Sequence, residues 1–300
     1  MTNRPILVMM SYRGAARLER CLKSIAMSRE FFSRIVLSIT ATEDSDDMRV
    51  ALAFQAEYPD VEVICTGVEL PTMQHQAFWV TYLERNGVKR KDWIYWLAYD
   101  DEVRVSGIRD LIDPDGNWPL REGSAYFGPW AMRHEGAEAM WNGDPVASLE
   151  SWTSFPAEGP TRLPVLRWID DQLRQPTYMQ MSGSICPFDS FLELRDGLPR
   201  KKGPMRIEMA IAATRCNIRI EEFPTPVSII YGRPNSDRAS YGKAARAEDV
   251  HLLAWMTRYV LRHPGALGTL MQLVTTQQSR LIKRTPTPSE EWRARGAVRP

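Results

Sequence analysis

Several function classes are excluded by what this sequence lacks. Its four cysteines, Cys21, Cys65, Cys186 and Cys216, lie far apart in a chain of 300 residues. They form no CxxC pair and no zinc-ligand spacing, so a zinc ribbon and a thioredoxin-like motif are out. Buried, reduced thiols are the expectation. No GxGxxG follows the first apolar run, which disfavours a dinucleotide fingerprint, and no GxxxxGK[ST] is present, which excludes a P-loop. No uninterrupted apolar stretch approaches the ~20 residues a spanning helix needs. The chain enters an apolar run almost at once, without the h-region and cleavage site of a leader, so a cytoplasmic location is expected. A net charge of +1 supplies no overall field to recruit nucleic acid. That balance is uneven: from His251 to Pro300 eight Lys/Arg stand against two Glu, leaving −5 on the residues before them.

What is present is an alternation of apolar runs and helical periodicity. Pro5–Met10, Arg34–Thr40, Val61–Cys65 and Trp93–Tyr99 read as buried strands. Between them, Ala15–Ala26, Met48–Glu57 and Gln74–Arg85 carry helical spacing, with Leu18, Cys21, Leu22 and Ile25 on one face of the first. This βαβαβαβ order predicts a parallel, doubly wound α/β sheet. The pattern then loosens. Ser124–Arg133, Tyr178–Ile185, Ile218–Ile220 and Val227–Ile230 read as strands, and Asp189–Arg195 and Glu208–Arg215 as helices. Met140–Pro164 reads as ordered loop. The second half is expected to extend the same sheet in mixed direction. Glu248–His263 and Leu267–Arg284 are amphipathic helices, and Thr285–Pro300 has the composition of a disordered tail. The expected divisions are a nucleotide-binding half at 1–105, an acceptor half at 106–240, helices at 241–284 and a tail at 285–300.

In a doubly wound sheet, ligands bind where the strands end. Three segments fall there: Ser11-Tyr12-Arg13, the polar loop Thr42–Asp47, and Asp100-Asp101-Glu102. The last is the most informative. The aromatic run Trp93-Ile94-Tyr95-Trp96-Leu97 ends in three consecutive carboxylates, which repel one another and resist desolvation. Their oxygen-only chemistry suits Mg²⁺ or Mn²⁺ better than Zn²⁺. A solvated turn capping the next element is the competing reading. With no glycine cradle available, a phosphate ligand has to be neutralised by metal or arginine.

These segments together resemble a family 2 glycosyltransferase with the GT-A fold. The opening ILVMMSYRGAARLERCLKSI is similar to that family's first strand, turn and helix. Leu97-Ala98-Tyr99-Asp100-Asp101-Glu102 resembles its acidic metal motif. Ser182-Gly183-Ser184 resembles the segment beside the donor and acceptor sugars, Met205–Ala210 the start of the helix carrying the catalytic carboxylate, and Val227–Ser236 the last strand and its loop. The resemblance spans roughly residues 4–240. It implies a GT-A mixed sheet, with a Rossmann-like nucleotide half, an acceptor half and C-terminal helices. It also implies inverting transfer of a sugar from a nucleotide donor to a glycan or lipid-linked acceptor, in polysaccharide or lipopolysaccharide assembly.

The roles it implies are specific. Ser11, Tyr12 and Arg13 would contact the nucleotide; in the second loop Thr40 stands where the family usually has an Asp, and Glu43, Asp44 or Asp46 would substitute for it. Asp100 would be the main ligand of a divalent cation, Mg²⁺ or Mn²⁺, with Asp101 and Glu102 beside it. Glu208 would be the general base. Ser182, Gly183, Ser184 and Arg233 would lie against the sugar or phosphate, and Trp130 could stack on a pyranose, as could Trp141 and Trp152. The chain departs from the family pattern at Ala98, Thr40, Met209 and Arg233, each where another residue is usual. The basic C-terminal helices are expected either to pack on the catalytic domain or to lie on an anionic membrane surface. A sugar-phosphate nucleotidyltransferase and a non-catalytic carbohydrate-binding protein are the alternatives. The first would want a Gly-rich basic loop after the opening strand, which Ser11–Arg17 does not supply.

Overall fold

A computed structural model describes residues 3–11, 14–126, 130–134, 150–152, 182–197, 219–221 and 223–232. The chain divides into two compact units, one of Met1–Arg162 with Met179–Ala244 and one of Leu163–Tyr178 with Ala245–Pro300. Every described residue belongs to the first. The expected C-terminal helices and tail, and the helix at Glu208–Arg215, lie outside the described residues.

The alternation read in the first hundred residues is present. Strands β1 (Ile6–Ser11), β2 (Arg34–Ile39), β3 (Val61–Cys65) and β4 (Trp93–Ala98) are joined by α1 (Ala15–Ser28), α2 (Asp46–Glu57) and α3 (Thr72–Arg85). β1 pairs in parallel with β2 and with β4, and β2 in parallel with β3. All six residues of β1 are buried, as expected of a central parallel strand covered on both faces. Leu18, Cys21, Leu22 and Ile25 are at most 3% exposed and seat α1 on the sheet. Each such aliphatic side chain removed from water contributes roughly 1.5–3 kcal/mol. A 3₁₀ turn, Arg29–Phe31, returns the chain to β2.

The second half departs from expectation. Ser124–Arg133 is two strands in two sheets: β6 (Ser124–Tyr126) and β7 (Trp130–His134). Gly128-Pro129 stands between them in the sequence, and a proline cannot donate to a strand ladder. Among the described residues the main sheet has seven strands, in the order β10-β6-β9-β4-β1-β2-β3, with β9 at Ser184–Pro187 and β10 at Arg219–Glu221. β9 is antiparallel to β4 and β6. A second, four-stranded sheet has the order β5-β11-β7-β8, with β5 at Glu102–Val103, β8 at Glu150–Trp152 and β11 at Ser228–Gly232. β8 thus falls inside the stretch expected to be loop. Two further helices are α4 (Val105–Arg109) and α5 (Phe188–Gly197).

Two aromatic clusters fix the seams. Phe32, Tyr95 and Trp118 pack together, and Trp118 donates its indole N–H to the Phe31 carbonyl at 2.8 Å. On the other seam, Trp79 of α3 meets Phe191 of α5 edge-on, and the indoles of Trp79 and Trp96 both donate to the Met10 sulfur, at 3.2 and 3.0 Å. Helix α3 is thereby fixed over the carboxyl end of β1.

Candidate active site at the carboxyl edge of the sheet

The parallel register aligns Ser11 with Ile39 and Met10 with Ala98, so β1, β2 and β4 finish on one edge. Because β9 runs the opposite way, its first residue, Ser184, pairs with Trp96 at that same edge. The sequence-predicted segments around Ser11, Asp44, Asp100 and Ser182 therefore converge there. Tyr12, Arg13, Glu208 and Arg233 lie outside the described residues, and Trp130 is described as a backbone position in β7.

The first loop is organised by a carboxylate that sequence reasoning does not single out. Asp47, in the first turn of α2, is 4% exposed. Its side chain accepts from the Ser11 hydroxyl and from the Gly14 backbone N–H, the latter at 3.1 and 3.2 Å to its two oxygens. A buried carboxylate needs such donors, and the α2 N-terminus adds a favourable dipole. The preceding Ser45 caps α2, accepting from the Met48 N–H at 3.2 Å. Ser11 is itself only 1% exposed, so it shapes the loop from beneath. Asp44 is exposed; a hydrogen bond from Thr42 holds its carboxyl below the usual range. On the far side of the loop, the Tyr99 ring lies against Gly14 so closely that a Cβ there would sit 1.8 Å from it. Gly14 is required for that contact.

The three acids at the end of β4 have different fates. Asp100 is half-exposed. Asp101 is 4% exposed; its Oδ1 accepts from the Tyr231 N–H at 3.0 Å, and it takes a further hydrogen bond from Ser182. Burial, and then the neighbouring Asp100 charge, push its carboxyl up to about 8. Glu102 accepts the Tyr231 hydroxyl at 2.5 Å and pairs with Arg20 Nε at 3.1 Å. Among the described residues no three His, Cys, Asp or Glu side chains are grouped to hold a metal ion. Asp101 and Glu102, two of the three acids expected to hold a metal, make these contacts within the protein. Beneath them the Cys21 thiol is pushed well above its ordinary value by burial and by the negative charge of Asp101, Asp100 and Glu102.

Ser182 and Gly183 brace the same strand end. Ser182 Oγ accepts from the Ala98 N–H at 3.1 Å, and the Gly183 N–H donates to the Trp96 carbonyl at 2.7 Å. Gly183 has φ 81°, a left-handed conformation that favours glycine. Ser182, Gly183 and Ser184 are all buried. The organising residues that the sequence leaves unmarked are Asp47, Tyr99, Arg20 and Tyr231. Only Asp47 carries a signal, as the second of the two acids that follow the capping Ser45.

No protein-family model matches the chain, and no curated protein matches it. Solved structures do. The mannosyltransferase PcManGT from Pyrobaculum calidifontis, in complex with GDP-Man and Mn²⁺, has a TM-score of 0.50 at 12% identity, covering 98% of this chain and 79% of that one. The chain has the GT-A glycosyltransferase fold. Among weaker GT-A likenesses, TarS 1–349 of S. aureus has a TM-score of 0.47 at 10% identity, over 76% of this chain and 60% of that chain. GalNAc-T7 with UDP, GalNAc and Mn²⁺ has a TM-score of 0.48 at 11% identity, over 78% of this chain and 44% of that one. The chain thus spans less than two thirds of these two proteins. The edge carrying Ser11, Asp47 and Asp100 is the carboxyl end of the parallel strands, where ligands bind in doubly wound sheets.

Proposed function

We propose that this protein is a glycosyltransferase that moves a sugar from a nucleoside-diphosphate donor to a hydroxyl of a glycan or lipid-linked acceptor. One observation carries the reading. On a GT-A scaffold, the loop organised by Asp47 and Gly14 meets the half-exposed Asp100 at a single sheet edge, through the Tyr99 ring. In this reading Tyr12 and Arg13 contact the nucleotide, while Ser11 and Asp47 hold their loop in shape. Asp44, exposed on the neighbouring loop, borders the base.

The oxygen chemistry of this edge fits a hard divalent cation. Mg²⁺ and Mn²⁺ are held by one or two carboxylates completed by substrate phosphates and water, and Asp100 is the carboxylate in position. When bound there, the cation would neutralise charge on the leaving diphosphate. With Asp101 and Glu102 committed internally, Asp100 offers little affinity by itself, so cation and nucleotide are expected to bind together.

The remaining chemistry falls to residues of the acceptor half. Glu208 removes the acceptor hydroxyl proton as its oxygen attacks the anomeric carbon, with inversion there. Arg233 binds phosphate, and Trp130 provides a stacking face for a sugar. Ser182 and Gly183 keep the end of β4 in place beneath the donor. Polysaccharide or lipopolysaccharide assembly, with the basic C-terminal helices on the membrane surface, is the proposed setting. No described helix is long and apolar enough to cross a membrane.

The test is a panel of nucleotide sugars with and without Mn²⁺, followed by thermal stability and nucleoside diphosphate release. Stabilisation that needs nucleotide and Mn²⁺ together supports the proposal. If no donor raises the melting temperature and none is consumed, the proposal fails. Pyrophosphate release from a nucleoside triphosphate and a sugar phosphate would instead indicate a nucleotidyltransferase.

A further inference from the structure

We propose that Arg20 and Tyr231 are positioning residues that hold Asp100 in its ligand-binding geometry. The inference rests on the glycosyltransferase reading above.

The pair reaches every member of the acidic triplet. Arg20 Nη2 donates to the Asp100 backbone carbonyl at 2.9 Å, and Arg20 Nε lies 3.1 Å from Glu102 Oε1. The Tyr231 N–H holds Asp101, and its hydroxyl holds Glu102. The two residues are joined to each other, since the Arg20 guanidinium carbon sits 3.5 Å from the centre of the Tyr231 ring. Cation–π stacking of this kind gains strength as the pair is desolvated, and the Arg20 side chain is only 29% exposed. One cation and one aromatic ring thus restrain a turn whose three carboxyl groups would otherwise repel one another.

Arg20 lies on α1, the helix that begins just after Gly14, close behind Tyr12 and Arg13. Tyr231 lies near the end of β11, two residues before Arg233. Of the segments assigned to the donor, the stack touches the one at Asp100; Tyr12 and Arg13 precede Arg20 in the sequence, and Arg233 follows Tyr231. Arg20 and Tyr231 need not touch the donor to hold Asp100 in place.

The experiment compares Arg20→Met, Arg20→Lys, Tyr231→Phe and Tyr231→Leu with wild type in the full chain. Mn²⁺ binding is titrated through its electron paramagnetic resonance signal, with UDP or GDP present, and nucleotide affinity is measured separately without metal. Outer-shell residues that orient a metal ligand typically change metal affinity by about 10–100-fold. Arg20→Met and Tyr231→Leu are expected to weaken Mn²⁺ at least ~10-fold, while metal-free nucleotide affinity stays within about 2-fold. Tyr231→Phe keeps the ring and the backbone N–H, so its loss is expected to be smaller, and Arg20→Lys is expected to recover only part of the binding. Hydrogen exchange at the amides of residues 99–103, measured without ligand, should quicken in Arg20→Met. A folded Arg20→Met protein with wild-type Mn²⁺ affinity and unchanged exchange overturns the inference. Wild-type protein that binds neither nucleotide under any condition overturns the functional reading itself, and the exchange result then reports on the Arg–Tyr stack alone.

Discussion

Asp47 and Gly14, thirty-three positions apart, are joined by one backbone N–H that both oxygens of a buried carboxylate accept, at 3.1 and 3.2 Å. Replacing Asp47 with Ala leaves this N–H and the Ser11 hydroxyl buried without their acceptor. Each such group costs about 1–3 kcal/mol, so urea unfolding should show a loss on the order of 2–4 kcal/mol. Asp47→Asn, which keeps one oxygen, should lose less. A change under about 0.5 kcal/mol, the range of ordinary surface substitutions, would remove Asp47 from the architecture of this loop.

Gly14 and Tyr99 make a separate prediction. Gly14 has φ −133°, which any residue adopts, so the demand for glycine here is one of space. An added Cβ would lie 1.8 Å from Tyr99 Cε2. Gly14→Ala should therefore cost about 1–3 kcal/mol by overpacking and displace the ring. The double variant Gly14→Ala/Tyr99→Ala should recover much of that loss. A double variant no more stable than Gly14→Ala would show that the ring is not the obstacle.

His75 ties stability to pH. It is 2% exposed, its Nε2 lies 2.8 Å from the Ser38 hydroxyl, and burial lowers its pKa to about 4. In the unfolded chain a histidine titrates near 6.5. The unfolded state thus binds the extra proton first, and stability falls as pH drops from about 6.5 toward 4, by on the order of 3 kcal/mol in total. Above pH ~6.5 both states are neutral and this contribution is complete. Glu62 is held below its ordinary value chiefly by its hydrogen bonds from Arg34, so its contribution is lost at lower pH, through the carboxylate range. Urea midpoints between pH 7 and 4.5 should fall for wild type and flatten for His75→Gln. Parallel curves would assign the acid sensitivity elsewhere.

Asp100 and Glu208 are predicted to separate binding from turnover. Asp100→Ala should abolish the stabilisation that Mn²⁺ and nucleotide give together. Glu208→Gln should preserve that stabilisation and lower kcat by roughly 10²–10⁴-fold, the usual contribution of a general base. Full turnover in Glu208→Gln would move the base to another residue. Full metal-dependent stabilisation in Asp100→Ala would move the cation.

How much of this was legible in the sequence depended on range. β1 to β4 and the helices between them follow from local apolar periodicity, and the structure departs from those bounds by a residue or two. The split between β6 and β7 was hidden because Ser124–Arg133 is apolar enough to pass for one strand, while the partners that separate them, β9 and β11, lie far along the chain. The acidic triplet was visible as a cluster, yet nothing local distinguishes its members. Asp101 is buried by Ser182 and Tyr231, residues more than eighty positions away, and Glu102 is claimed by an arginine on a helix whose polar face looks solvated. Asp47 was obscured because an acid in a first helical turn has an ordinary explanation in the helix dipole.

The reversed direction of β9 has a consequence for how such a chain can diverge. Ser182 and Gly183 arrive at the carboxyl edge and depart from it along β9, fastened to the Ala98 N–H and the Trp96 carbonyl. Two short anchors hold the strand, so its register on β4 is set at its own first residues rather than by the long stretch of sequence before them. A lineage built on this scaffold can therefore vary its sequence ahead of β9 while inheriting the pairing of β9 on β4 intact.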